Sequence, residues 1–270
     1  MAEADKVFAG AIPDLYDRLL VPLIFEGYAR DLAERVAKLK PSDLLEVATG
    51  TGVLTRAMAP LLDAGTRIVA SDLNQPMLDV AKRKQADDSR IVWQQADALA
   101  LPFAAQSFDV VTCQFGVMFY PDKVKGYRET HRVLKPAGHF LFNVWDKLTE
   151  NDFARAVEEA VTDEFPDDPP RFMTRVPHGY ADIGVIRAEL AEAGFRSIAI
   201  ETLDKKSRAA SAEQAALTYC QGTPLRNEIE TRKPSDLEAV TQAVAEALRR
   251  KLGSGAIEGR IRAHVITASR

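Results

Sequence analysis

Three carboxylates stand where short apolar runs give way to polar loops: Glu46 in LLEVATGTGVLTRAM, Asp72 in VASDLNQPML and Asp97 in WQQADALALPF. A carboxylate at such a place accepts hydrogen bonds, either from the first turn of the next helix or from the hydroxyls and amines of a ligand. Behind Glu46 runs Ala48-Thr49-Gly50-Thr51-Gly52. Small residues let a ligand approach the backbone, Gly50 and Gly52 can take positive φ, and the N–H groups of a helix start face outward toward an anion. Taken alone, that loop reads equally well as a ligand cradle or a plain strand-to-helix turn. Asp72, 26 residues beyond Glu46, is spaced to accept both hydroxyls of a ribose. Of the four histidines, His178 in RVPHGYAD is the candidate proton acceptor, with a loop histidine bonded to backbone or solvent as the plainer alternative.

These acids need a scaffold that brings the ends of several strands together. Apolar runs at 44–48, 67–71, 90–94, 108–115 and 139–145 alternate with helical segments, which predicts a parallel sheet with both faces covered. Ligands of such open sheets bind at the C-terminal edge of the strands, and all three acids fall there. Ahead of the first strand, Ile24, Tyr28, Leu32, Val36 and Leu39 recur at steps of four and three, predicting a helix over Leu23 to Leu39 that Pro41 ends. After Trp145 the rhythm breaks. A helix over Asp152 to Glu164 and a proline-rich loop form an inserted region, 147–193, which ends in a helix from Ile183 to Ala193. A strand near Ser197 to Leu203, helices around 211–221 and 235–251, and an alternating strand at 261–269 complete the chain, the last expected antiparallel at the sheet edge. IEGR at 257–260 resembles an engineered protease site by letters, but a plausible native strand follows it directly.

Composition narrows the function classes. The chain has 270 residues, 46% hydrophobic and 27% charged, which excludes a disordered or collagen-like polymer and leads us to expect a soluble globular protein. With 35 Lys and Arg against 39 Asp and Glu, spread evenly along the chain, no nucleic-acid footprint is expected. Cys113 and Cys220 lie far apart without CxxC or Cys/His spacing, so neither a metal site nor a disulfide framework is expected. No apolar run reaches the roughly 18 to 20 residues of a membrane span and the start shows no secretory pattern, which gives a cytoplasmic expectation without stable membrane insertion.

The segments LLEVATGTG, SDLNQPML, ADALALPFAAQSFDVVTCQFGVMFYPD and HRVLKPAGHFLFNVW resemble successive motifs of class I S-adenosylmethionine-dependent methyltransferases. More narrowly, they are similar to the type-11 group that includes quinone-biosynthesis C-methyltransferases, over about residues 40 to 145. The resemblance implies an α/β, Rossmann-like seven-stranded sheet in order 3-2-1-4-5-7-6, strand 7 antiparallel, with helical insertions forming a lid. It implies a division into N-terminal helices over the site (1–40), a cofactor-binding core (41–146), a substrate-side insertion (147–193), strand 6 (194–206), a helical insertion (207–258) and strand 7 (259–270). It implies S-adenosyl-L-methionine as cofactor. Ala48, Thr49, Gly50 and Gly52 would line its methionine part, and Glu46 would face its ammonium. Asp72 would bind the ribose hydroxyls, Leu73 and Met77 would pack on the adenine, and Asp97 would accept from the adenine amino group beside Ala98 and Leu99. Gln114 and Phe115 would face the sulfonium, and Tyr16 would add a cofactor contact. Two departures from the family pattern are Ala48, tolerable where φ is negative, and Ala137, which bears on a turn.

Methyl transfer is an in-line displacement from an activated donor, so holding donor and acceptor in line is most of the work. Where the acceptor has a proton to lose, His178 is the candidate base. Phe119, Trp145, Phe172 and Tyr180, with Phe115 and Tyr120, are placed to meet a flat or lipophilic small molecule. The stripe of Leu237, Val240, Val244 and Leu248 is expected to dock on the domain or on a second copy, a homodimer. Two rival readings are a protein that binds the cofactor without catalysis and a nicotinamide-dependent oxidoreductase. The full GxGxxG spacing and the Tyr/Lys pair of a short-chain dehydrogenase are both missing.

Overall fold

The computed structural model describes Phe8 and residues 12–85, 87–233 and 235–270, so that of the N-terminal region residues 1–7 and 9–11 lie outside the described residues. Seven strands form one sheet: β1 (Asp43–Val47), β2 (Arg67–Asp72), β3 (Ile91–Gln95), β4 (Phe108–Gln114), β5 (Leu134–Trp145), β6 (Ile198–Ala209) and β7 (Ile257–Ser269). Their order is β3-β2-β1-β4-β5-β7-β6. The first five strands pair in parallel, whereas β7 runs antiparallel to both neighbours, with Asn143 opposite Val265 and Glu201 opposite Val265 on its other side. β7 is therefore an interior strand, not the edge strand its late position and one-sided alternation suggested. Both its ladders are filled because β6 returns outside it, and β6 takes the edge.

Side chains alternate across the sheet with period two. Leu44, Ile68, Val110, Leu141 and Val265 enter one core, and their chain neighbours Leu45, Val69, Val111, Phe142 and Ile266 enter the other. On the first face lie α2 (Glu26–Lys38) and α3 (Val53–Met58), through Leu32, Val36, Leu54 and Met58. The second, larger core gathers α5 (Lys123–Val133), α6 (Asp152–Glu164), α8 (Ile183–Glu192), α9 (Ala212–Gln221) and α11 (Leu237–Leu252). Asp122, Asp182 and Ser211 each accept a hydrogen bond from the first turn of the following helix, which fixes where α5, α8 and α9 start. The remaining helices are α1 (Ile12–Leu15), α4 (Gln75–Lys84), α7 (Phe172–Arg175) and α10 (Leu225–Arg232).

Three boundaries differ from the sequence reading. The N-terminal helix begins earlier than Leu23, since Tyr16–Phe25 is a π-helical stretch that runs directly into α2. Pro22 inside it has no N–H to give the tighter α ladder. Leu39 leaves the apolar stripe, 36% exposed, because α2 closes at Lys38. β6 and β7 run on to Ala209 and back to Ile257, so the outer strands form a hairpin-like pair longer than the alternation at 197–203 and 261–269 indicated, and IEGR lies inside β7.

The stripe of α11 does pack inward, with Val240, Val244 and Leu248 buried against the second core. Tyr28 of α2 ties that helix to the outer strands: its hydroxyl lies 3.0 Å from the Leu203 carbonyl and 3.1 Å from that of Ile261. No described helix is long and apolar enough to cross a membrane.

Candidate active site

At the C-terminal edge the backbone turns sharply twice, after β1 and after β4. Leaving β1, Ala48 (φ 53°), Gly50 (φ 58°) and Gly52 (φ 82°) are all left-handed. The glycines were expected there; Ala48 was tolerable only at negative φ, and the structure overturns that condition. Its methyl group also explains Gly116, since a Cβ at Gly116 would sit 2.5 Å from Ala48 Cβ and 2.6 Å from Cys113 Sγ. Leaving β4, Phe115 is left-handed as well (φ 51°). Ala137 in the turn within β5 has φ 63°.

Asp72 at the end of β2 holds this edge together. Its Oδ2 accepts from the Gly50 N–H at 2.8 Å and its Oδ1 from the Asn74 N–H at 2.8 Å, which fixes the glycine loop against the second strand. Burial pushes the Asp72 carboxyl up from its ordinary pKa, and those backbone donors partly offset the shift. Asp97 is exposed and caps its own loop by accepting from Leu99 N–H at 2.9 Å.

Above these turns open two adjoining cavities. The first, open to solvent on one side, is lined by Ala48, Gly50, Asp72, Leu73, Met77 and Asp97, and further round by Ala98, Leu99, Gln114, Phe115 and Tyr16. Its only charged lining side chains among the described residues are the two aspartates. Gln114 donates through Nε2 to the Phe25 carbonyl at 3.1 Å, while its Oε1 is buried with no partner among the described residues. An orphaned acceptor beside two carboxylates is a wall that suits a cationic, hydrogen-bond-donating ligand.

The second cavity is aromatic. Phe115 stacks on Trp145 with centroids 3.9 Å apart and planes 12° from parallel, giving a flat wall. Phe119, Phe172 and the π-helical residues Leu20, Ile24 and Phe25 continue it. Tyr16, Phe115 and Phe119 line both cavities and form the seam between them. His178 lies in this aromatic cavity, its Nδ1 2.8 Å from the Asp146 carbonyl, and burial pushes its pKa down to about 4.

Four expected site residues are not brought to either cavity. Glu46 is buried beneath the loop, where its Oε2 accepts from the Thr55 hydroxyl at 2.5 Å and desolvation raises its pKa to about 8. Thr49 is buried behind the loop and Gly52 serves as the N-cap position of α3. Tyr180 turns toward α5 and α8: its hydroxyl lies 3.1 Å from that of Tyr127 and donates to Glu189, with Lys123 Nζ 5.1 Å above the ring. Glu189 and Tyr127 satisfy the Tyr180 hydroxyl there, which the aromatic pattern alone did not signal. Conversely, the π-helical residues and Asn151, Met173, Tyr219 and Thr223 line the aromatic cavity without having been read as site residues. The apolar stripe that begins at Ile24 was the one available signal, and it could not tell a packing face from a cavity wall.

Residues 45–142 match the family described as a methyltransferase domain. Over 142 residues the chain is 37% identical to a demethylmenaquinone methyltransferase of Deinococcus radiodurans, an alignment that takes in 50% of this chain and 57% of that protein. The chain thus spans less than two thirds of that relative. In fold, the domain and its insertions superpose on the YcgJ protein from Bacillus subtilis with TM-score 0.57 at 20% identity, covering 90% of this chain and 98% of that one. The [4+2]-cyclase SpnF shares the fold with TM-score 0.56 at 18% identity, over 91% of this chain and 81% of its own. The matched segment contains most of β1, all of β2 to β4, most of β5 and every expected cofactor residue except Tyr16, whereas most of the aromatic cavity is built from chain outside it.

Proposed function

We propose that the protein transfers a methyl group from S-adenosyl-L-methionine to a small, uncharged, aromatic or lipophilic molecule. The observation that carries this reading is the pairing of an acidic cavity over the glycine loop with an aromatic cavity that shares Tyr16, Phe115 and Phe119 with it. Two aspartates and an unpaired Gln114 oxygen fit a ligand bearing an ammonium, a sulfonium and two ribose hydroxyls.

When bound, the cofactor supplies a methyl group already activated on a sulfonium. Asp72 would take the ribose hydroxyls, Met77, Leu73, Ala98 and Leu99 would flank the adenine, Asp97 its amino group, and Ala48, Gly50 and Gln114 the methionine end. Phe115 and Phe119 would aim the reactive end into the aromatic cavity. Trp145 and Phe172 would hold the acceptor flat and exclude water, so that geometry supplies most of the rate. His178, neutral at pH 7 with its pKa near 4, would serve as hydrogen-bond acceptor and as base where the acceptor has an acidic proton to lose. In this reading the partner is a small molecule, with no nucleic acid and no stable membrane insertion; the protein works in the cytoplasm and a second copy is its candidate protein partner.

Incubating the protein with S-adenosyl-L-methionine and a panel of uncharged aryl acceptors, and measuring S-adenosylhomocysteine, tests the proposal. Acceptor-dependent product is expected. A second reading, cofactor binding without methyl transfer, is favoured by the use of this fold in a [4+2]-cyclase. Tight cofactor binding with no S-adenosylhomocysteine from any acceptor would replace the first reading with the second.

A further inference from the structure

The aromatic cavity holds polar groups that packing alone would not require. Some are fully used. Asn151 donates through Nδ2 to the carbonyls of Asp146 (3.3 Å) and Lys147 (3.1 Å) and accepts through Oδ1 from Arg262 N–H at 3.0 Å. The Thr223 hydroxyl donates to the Tyr219 carbonyl at 2.7 Å and accepts from Leu225 N–H at 3.2 Å.

Two others are not. His178 Nδ1 faces the Asp146 carbonyl, which can only accept, so Nδ1 carries the proton and Nε2 presents a lone pair. Among the described residues Nε2 has no partner. Tyr219 of α9 is 2% exposed, and burial alone raises its pKa; its hydroxyl likewise has no hydrogen-bond partner among the described residues. Neither Tyr219 Oη nor His178 Nε2 is among the sealed, partnerless polar atoms of the described residues, so both are reached from the cavity they line, where phenylalanine in place of Tyr219 would fill the same space with nothing to donate. Tyr16, a second hydroxyl without a partner among the described residues, sits on the seam near Asp72 and belongs to both cavities. None of the described residues lining the aromatic cavity carries a carboxylate, an ammonium or a guanidinium.

We propose that Tyr219 and His178 are a donor and acceptor pair that selects an uncharged acceptor carrying a hydroxyl group, whose O–H donates to His178 Nε2 and whose oxygen accepts from Tyr219 Oη. The inference rests on the function proposed above, in which this cavity receives the methyl acceptor. It adds that the polar selection comes from two insertions outside the methyltransferase domain, and that a charged carboxylate or amine is refused because nothing in the wall balances its charge. The stacked Phe115 and Trp145 rings set the plane, and the pair sets where the oxygen lies within it.

Four naphthalene probes separate the terms. Titrated into the full chain with S-adenosylhomocysteine present, 2-naphthol can donate and accept, 2-methoxynaphthalene can only accept, naphthalene can do neither, and 2-naphthoate is charged. The expected order is naphthol, then methoxynaphthalene, then naphthalene, with steps of about five- to tenfold, and naphthoate last. His178→Phe is expected to bring naphthol level with methoxynaphthalene, His178→Gln to restore part of the gap through its amide oxygen, and Tyr219→Phe to bring methoxynaphthalene level with naphthalene. Tyr219→Phe alters one oxygen and keeps the test open should His178→Phe fail to fold. Equal affinity for naphthol and naphthalene in the unsubstituted protein, tight binding of naphthoate, or no binding of any probe would overturn the pair. S-adenosyl-L-methionine affinity, measured on the same samples, keeps the two claims apart: its loss with the naphthol preference intact would sink the proposed function and leave the pair standing as a ligand anchor.

Discussion

Ala48 holds a left-handed backbone that costs an L-residue roughly 1–2 kcal/mol and a glycine nothing in sterics. Part of that cost returns as the greater freedom of an unfolded glycine, so Ala48→Gly is expected to raise stability by about 0.5–1 kcal/mol in a urea titration. A loss of stability would mean that the methyl group packs usefully in the turn. Glu46 and His178 are both buried and act in opposite directions on stability. Between pH 4.5 and 8 the unfolded chain releases the Glu46 proton that the folded chain retains. Its contribution is therefore complete below pH 4.5 and is lost as pH rises through 8, with a slope of at most about 1.4 kcal/mol per pH unit. His178 is held down to about 4 from 6.5, so its contribution is complete above pH 6.5 and is lost as pH falls through 4. Urea midpoints of Glu46→Gln against the unsubstituted protein should show the alkaline slope removed and the acid slope kept; an unchanged alkaline slope would show that Glu46 ionises freely in the fold. At this scale the sequence carried residue types and not their directions. Asp72 and Glu46 both end strands, yet one lines the cavity and the other turns under the loop to Thr55, a difference made by α3 packing that spacing does not encode.

The elements were read more easily where one periodicity governed them. β1, β2, β4 and most of β5 were recognisable because both faces are buried and the runs are continuous, β3 by its apolar start although it lies half-exposed at the sheet edge, and α6 because its stripe is uninterrupted. The π-helical Tyr16–Phe25 stretch has neither signature, and it supplies Leu20, Ile24 and Phe25 to the aromatic wall. It is anchored through α2, where Tyr28 bonds to the outer strands beyond the methyltransferase domain. Tyr28→Phe leaves the ring in place and removes the donor from two carbonyls, one of them in a buried contact, so a loss of about 1–2 kcal/mol is expected from chemical denaturation. A change below about 0.3 kcal/mol would show that the carbonyls find other donors and that α2 is held by its apolar stripe alone.

Across the whole molecule the site is divided by origin. The acidic cavity comes mostly from strand ends within residues 45–142, and the aromatic cavity draws on the π-helical stretch, α6, α7, α9 and β7. The position of the ligand edge was legible because parallel sheets leave few ways to place a ligand, whereas the strand order came only with the family resemblance and the alternation of the last strand had pointed to the sheet edge. The acceptor side was legible only as a scatter of aromatics, since Trp145, Phe172 and Tyr219 meet through long-range packing, and Tyr180 was diverted by Tyr127 and Glu189. Asp72 joins the two levels, being both the hinge of the glycine loop and the proposed ribose ligand. Asp72→Asn is expected to weaken S-adenosylhomocysteine binding at least about tenfold, the scale of a hydrogen bond to a charged group, and unchanged affinity would remove the ribose assignment. The most direct measurement is calorimetric titration of the unsubstituted protein with S-adenosyl-L-methionine, S-adenosylhomocysteine and NADH in turn. Micromolar binding of both sulfur nucleotides with none of NADH is expected; binding of NADH with neither sulfur nucleotide would contradict the proposed function at its foundation.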